Sequence, residues 1–172
     1  MNIEKIFKLS PFNLDKKARA KLFKNRIEFL TRFHYQNCLI YKGILKNLAP
    51  SSTIICDIAH NPDAGLAISK YLNTLNKNKK IYLICGMMNN KIHDKFISNF
   101  KQVSEIVTVD IPSNKNCIKK EILKEIIEKI GIKSKTSNSI QDAVQYIYNK
   151  DKQSIILIVG SIFLIDEVLS FN

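Results

Sequence analysis

From residue 53 onward, short apolar runs rich in β-branched residues alternate with longer segments of helical spacing. The runs are Thr53–Ile58, Lys80–Cys85, Glu105–Val109 and Ser154–Val159. Such continuous apolar character suits strands buried on both faces, whereas a strand with one wet face alternates. The first helix should begin at Asn61-Pro62-Asp63. Asn caps free amides, Pro is tolerated at the first helical position, and Asp favours the positive end of the helix. Ala64, Leu66, Ala67, Ile68, Tyr71, Leu72 and Leu75 then form an apolar set wide enough to cover a sheet.

A weaker amphipathic stretch covers residues 91–100. A stronger one, Cys117–Ile130, turns Ile118, Ile122, Leu123, Ile126, Ile127 and Ile130 inward and is stopped by Gly131. Ile132–Lys135 reads as a short edge strand, and Ser139–Tyr148 and Ile162–Leu169 as the last two helices. Strand following helix throughout predicts an α/β fold. Its mostly parallel, doubly wound, Rossmann-like sheet should have right-handed crossovers and helices on both faces.

The first 50 residues break the pattern. They hold 11 Lys+Arg against 3 Asp+Glu, a net +8, while the remaining 122 hold 16 against 12, a net +4. Residues 1–30 are read as a basic, helical extension, with a helix over Asp15–Phe29, and residues 31–172 as the α/β domain. Asn37–Ile44 is a candidate extra strand.

The chain totals +12 over 172 residues, which raises nucleic-acid binding as a rival reading, through Lys16, Lys17, Arg19, Lys21, Lys24 and Arg26. Only three residues are arginine, the side chain best shaped for bidentate phosphate and guanine contacts, and no aromatic–basic interleaving accompanies them. Nucleic acid is therefore disfavoured as a partner.

The longest apolar run, Ile155 to Ile165, is broken by Gly160 and Ser161 and is too short to span a bilayer. The N-terminus lacks an apolar export segment. Cys38, Cys56, Cys85 and Cys117 form no Cys-x-x-Cys pair, and Cys56 and Cys85 read as small buried hydrophobes. A reducing cytoplasm is the expected compartment. Three histidines without paired acidic spacing do not compose a metal site, and His34 and His93 receive no role.

Ligands of open parallel sheets bind beyond the carboxyl ends of the strands. Three segments fall there: Cys56–Asp63, Gly86–Lys91 and Gly160-Ser161. Together they offer carboxylate, imidazole, amide, ammonium and hydroxyl groups to a polar, anionic ligand. Each has an ordinary reading as well. Asn-Pro-Asp is common capping chemistry, His60 alone is a hydrogen-bonded loop histidine, Lys91 a solvated lysine, and Ser161 a helix cap.

The order of the segments carries more than any one of them. Asp57-Ile58-Ala59-His60-Asn61-Pro62 resembles the Asp-Gly-Ala-His-Asn-Pro signature of folylpolyglutamate and dihydrofolate synthases. Gly86-Met87-Met88-Asn89-Asn90-Lys91 is similar to that family's glycine-to-lysine loop, and Gly160-Ser161-Ile162-Phe163-Leu164 to its Gly-Ser-aromatic-Leu ending. Thr31-Arg32-Phe33 is similar to its Gly-Arg element.

The resemblance covers residues 31–172 and implies the C-terminal domain of a Mur-ligase-type enzyme. Such enzymes use ATP and Mg to make an acyl phosphate on a folate or pteroate carboxylate, which the amino group of L-glutamate attacks. Carried across, Arg32 and Asp57 would contact ATP, with Arg32 steadying phosphate charge. His60 and Ser161 would bind glutamate, while Asn61 and Lys91 would support the loop.

The sequence also departs from that pattern. Ile58 stands for a small glycine, Thr31 for glycine or alanine, and Asn90 and Ile92 for residues that are often acidic. The chain has no Gly-Lys-Ser/Thr, hence no P-loop to hold ATP phosphates. The expectation is a domain inactive by itself, needing a P-loop ATPase-domain chain as partner. The alternative is a degenerate, non-catalytic remnant.

Overall fold

The computed structural model describes residues 47–75 and 78–169. Five parallel strands form there: β1 (Thr53–Asp57), β2 (Ile81–Cys85), β3 (Glu105–Thr108), β4 (Ser134–Thr136) and β5 (Ile155–Val159). Between and after them run α1 (Pro62–Leu72), α2 (His93–Ile97) with a 3-10 turn at Ser98–Phe100, α3 (Lys120–Lys129), α4 (Ile140–Lys150) and α5 (Ile162–Leu169). The expected alternation and edge strand are therefore present. The sequence readings of Asp15–Phe29, Asn37–Ile44, His34 and Arg32 fall outside the described residues.

The strand order is β1-β5-β2-β3-β4, all neighbours parallel. The chain steps one way across the sheet from β1 to β4, then reverses to insert β5 between β1 and β2. Right-handed crossovers put helices of forward steps on one face and that of the backward step on the other. Accordingly α1, α2 and α3 pack with Leu83, Cys85, Ile106, Leu157 and Val159. Helices α4 and α5 pack with Tyr82, Ile84, Val107, Ile156 and Ile158 on the opposite face. All five residues of β5 are buried, each contributing roughly 1.5–3 kcal/mol by leaving water.

Three details differ from the sequence reading. First, α1 buries Gly65, Ile68, Ser69 and Leu72, while Leu66, Ala67 and Tyr71 face outward. A small-residue seam, not the widest apolar arc, meets its neighbours, because Gly65 lies against the Phe96 ring.

Second, the helix expected from Cys117 starts only at Lys120. Cys117 forms an antiparallel bridge with Met88, and Ile118 donates its N–H to Met87 O (3.0 Å), so both residues are tied to the end of β2. Asp110 Oδ1 accepts from Lys120 N (3.0 Å), serving the helix start from a distance. Within α3, Leu123 and Ile127 are buried and Ile122 is exposed.

Third, the 91–100 segment is a five-residue helix tightened into a 3-10 turn, joined by an edge-on contact of Phe96 and Phe100 with ring centroids 5.2 Å apart. No described helix is long and apolar enough to cross a membrane.

Candidate functional site

The reversal that inserts β5 creates the site. Asp57 pairs in register with Val159, and Val159 with Cys85, so the carboxyl ends of β1, β5 and β2 stand side by side. The three segments picked out in the sequence leave from those ends. The structure thus brings the loops of Asp57-His60-Asn61, Ser161 and Lys91 onto one rim.

Two glycines let the central loops meet. Gly160 has φ 124°, and a Cβ there would stand 2.6 Å from Gly86 O. Gly86 is itself hemmed in by Val109 O, Leu164 and Ile111. Gly86 N–H donates weakly to Val159 O (3.4 Å), and Val109 N–H to Cys85 O (3.0 Å), pinning the exit of β2 between its neighbours.

On the β1 side, Asp57 is partly buried and its Oδ1 accepts from Ala59 N–H (2.7 Å). Burial pushes its carboxyl above the usual range, and the Ala59 bond opposes that shift. His60 Nδ1 lies 2.9 Å from Ile58 O. A carbonyl can only accept, so Nδ1 carries the proton and the neutral ring presents Nε2 as an acceptor. Asn61 Oδ1 accepts from Ala64 N–H (2.9 Å), the N-cap of α1. Its side chain is thus a cap first, and it shapes the loop by fixing the helix start.

Ser161 is buried, and its Oγ accepts from Phe163 N–H (3.2 Å) at the start of α5. Lys91 is half-buried in a loop closed by His93, whose Nε2 donates to Met88 O (2.9 Å). His93 had been given no role from sequence. Its i to i+5 contact has no sequence signature, so only the fold reveals it as the fastener of the Lys91 loop. Of the described cysteines, Cys85 is fully buried, which pushes its thiol up to about 12, while Cys56 on β1 is only half-buried.

Cavities of about 420 and 510 Å³ lie at the end of β4 beside α4 and near Leu72 and Lys80. The rim loops also carry exposed apolar side chains. Ile58, Ile92, Ile162 and Phe163 are 42–57% exposed and sit on these same three loops. Among the described residues no cluster of His, Cys, Asp or Glu could hold a metal ion.

A parallel α/β domain whose strand order reverses in this way is of doubly wound type, a fold whose ligands bind at such a reversal. The chain belongs to the Mur ligase family: the family's glutamate ligase domain matches residues 44–162. No curated protein sequence matches it.

Solved structures share the fold. Escherichia coli FolC in complex with DHPP and ADP is 21% identical with a TM-score of 0.58, over 67% of this chain and 27% of that one. Mycobacterium tuberculosis folylpolyglutamate synthase complexed with ADP and AMPPCP is 16% identical with a TM-score of 0.60, over 69% and 30%. The bifunctional folylpolyglutamate synthase/dihydrofolate synthase of Yersinia pestis, complexed with AMPPNP and Mn ion, is 18% identical with a TM-score of 0.58, over 68% and 28%. The match thus spans less than a third of each of these proteins' length.

Proposed function

We propose that this domain supplies the glutamate-facing half of an ATP-dependent amide ligase, adding L-glutamate to a folate or pteroate carboxylate. A P-loop nucleotide-binding domain supplies the other half. The observation that carries this reading is the gathering of Asp57, His60 and Ser161 on the adjoining ends of β1 and β5, inside a family match to a glutamate ligase domain.

The bound groups divide between the halves by chemistry. In this reading ATP and Mg are held mainly by the P-loop partner, and no step here runs through the metal. On this side, His60 Nε2 and Ser161 Oγ engage glutamate. The Ile58 contact fixes the imidazole through Nδ1 and leaves Nε2 to accept from the glutamate amine. Lys91 adds positive charge for the substrate's carboxylates. Asp57 and, by resemblance, Arg32 would contact ATP, Arg32 balancing phosphate charge as it develops. ATP, when bound, supplies the activation of the acyl carboxylate. This domain's part is to present the amine and exclude water.

The apolar collar of Ile58, Ile92, Ile162 and Phe163 supports the need for a partner surface. Exposed apolar side chains on the same loops as polar groups suit a contact that must dry when it closes. Ile58, in the place of a glycine, enlarges that collar.

The test is reconstitution. Mixed with a P-loop ATPase-domain chain of the same family, the full 172-residue protein should restore ATP-, folate- and glutamate-dependent ligation. His60→Ala and Arg32→Ala should each depress turnover without altering the unfolding midpoint. Ligation equal to wild type in both variants refutes the residue assignment. Absence of ligation by well-folded wild type favours a non-catalytic remnant.

A further inference from the structure

We infer that Asn99 is a positioning residue, holding the His60 loop at a fixed spacing from the Lys91 loop. The inference rests on the reading of those loops as the glutamate-facing rim, and its argument is geometric. Strands β1 and β2 are not neighbours, because β5 lies between them. The sheet alone therefore does not join the two loops directly. What joins them is the contact between the helices they lead into.

Helix α1 follows the His60 loop and α2 follows the Lys91 loop. The Asn99 side-chain amide, Nδ2, lies 3.2 Å from Pro62 O, 2.9 Å from Lys95 O and 3.2 Å from Phe96 O, donating across the gap. One amide thus grips the first residue of α1 and the last turn of α2. Pro62 is two residues from His60. At the other end of α2, His93 fastens Met88 O and closes the Lys91 loop. The connection runs His60–Pro62, Asn99, α2, His93, Met88.

Gly65 makes the approach possible. A Cβ on it would stand 2.9 Å from the Phe96 ring and 3.2 Å from Asn99 Nδ2.

A second bond set between the same elements lies farther from the rim. Ser69 Oγ donates to Asn99 O (2.6 Å), and Gln102 Nε2 donates to Ser69 Oγ (2.8 Å). Ser69 is about 10 Å along α1 from Pro62, at 1.5 Å per residue. Removing Gln102 loosens this pair of elements without touching the grip on Pro62, which separates positioning from mere stability.

The experiment compares backbone amide spectra of the full chain carrying Asn99→Ala, Asn99→Ser or Gln102→Ala. The serine hydroxyl is too short to reach Pro62, and it serves if the alanine variant folds poorly. The expected result is that both Asn99 variants move the amide signals of residues 58–63 and 89–92 together, while Gln102→Ala leaves them in place. In the reconstituted ligation assay, Asn99→Ala should raise the glutamate KM about ten-fold with kcat nearly unchanged, as displaced binding groups do.

Unmoved rim signals in the Asn99 variants overturn the inference, as does equal movement in Gln102→Ala. Coupled movement in a protein that performs no ligation sustains the positioning role and removes the ligase reading instead.

Discussion

Gly160→Ala tests the tightest point of the structure. The residue has φ 124°, beyond even the left-handed well near +57°, and an alanine Cβ would stand 2.6 Å from Gly86 O and 3.0 Å from Met87 Cγ. Backbone strain of this kind costs about 1–3 kcal/mol, and forcing a carbon into a packed backbone contact about 1–3 kcal/mol more. The sum is about 4 kcal/mol, a large part of a typical domain's stability.

Gly131 provides the comparison, since its φ is 85° and nothing lies within 4 Å of the Cβ position. Gly131→Ala carries backbone strain alone, about 1 kcal/mol. In urea unfolding with a slope of about 2 kcal/mol per M, the midpoint should fall by about 2 M for Gly160→Ala and about 0.5 M for Gly131→Ala. Equal drops for the two variants would mean that the Gly86–Gly160 contact is not tight, and the argument for how the central loops meet fails with it.

Glu105 is buried at the start of β3, with Lys150 Nζ at 2.6 Å and the Tyr146 hydroxyl at 3.2 Å. Lys150→Met leaves that carboxylate without its closest cation and should cost about 2–3 kcal/mol at neutral pH by urea unfolding. The bond to Glu105 holds the Lys150 ammonium above its ordinary 10.5, so the wild-type contribution is complete below that pH and fades as the solution is made more alkaline. The gap in unfolding midpoint between wild type and Lys150→Met should therefore be smaller at pH 11.5 than at pH 8, and an unchanged or wider gap would refute the pairing.

Asn61→Ala removes a helix cap and should lower stability by about 1 kcal/mol, as should Ser139→Ala, whose Oγ accepts from Asp142 N–H at the start of α4. A much larger loss for Asn61→Ala alone, read from thermal melts, would show that the residue does more than cap. Burial raises the Asp57 carboxyl, so ionising it weighs against the fold, and stability from this group is greatest below pH about 4. Asp57→Asn should stabilise the domain at pH 7 by on the order of 1 kcal/mol or less, water reaching part of the group, with the gain vanishing by pH 3.5.

Strands β2, β3 and β5 were legible because their apolar runs had to be continuous to be buried on both faces, and Asn61-Pro62 and Ser139 marked helix starts by chemistry that works locally. The fold class followed from alternation alone. Which strands adjoin did not, since the insertion of β5 depends on a reversal of direction that periodicity does not encode. The rim loops could be named without knowing that they would be neighbours. Burial along α1 was misread because Gly65 and Ser69 form the contact face through close approach and a hydroxyl bond, which an apolar count overlooks. Ile118 left its expected helix because the end of β2 claimed its N–H. His93 and Asn99 escaped notice because both act on backbone carbonyls, His93 at a spacing with no sequence signature and Asn99 partly on Pro62, which only the fold brings near.

The last strand of the chain is the second in the sheet. Thr53 pairs with Ile155, and among the described strands β1 has no neighbour but β5. Among the described strands, then, β1 finds its partner only about a hundred residues further along the chain. Closing so long a segment is entropically slow to nucleate. Loss of Ile155–Val159 would remove the middle of the sheet and separate β1 from β2. Deleting β5 should thus be far more damaging to the domain than deleting β4.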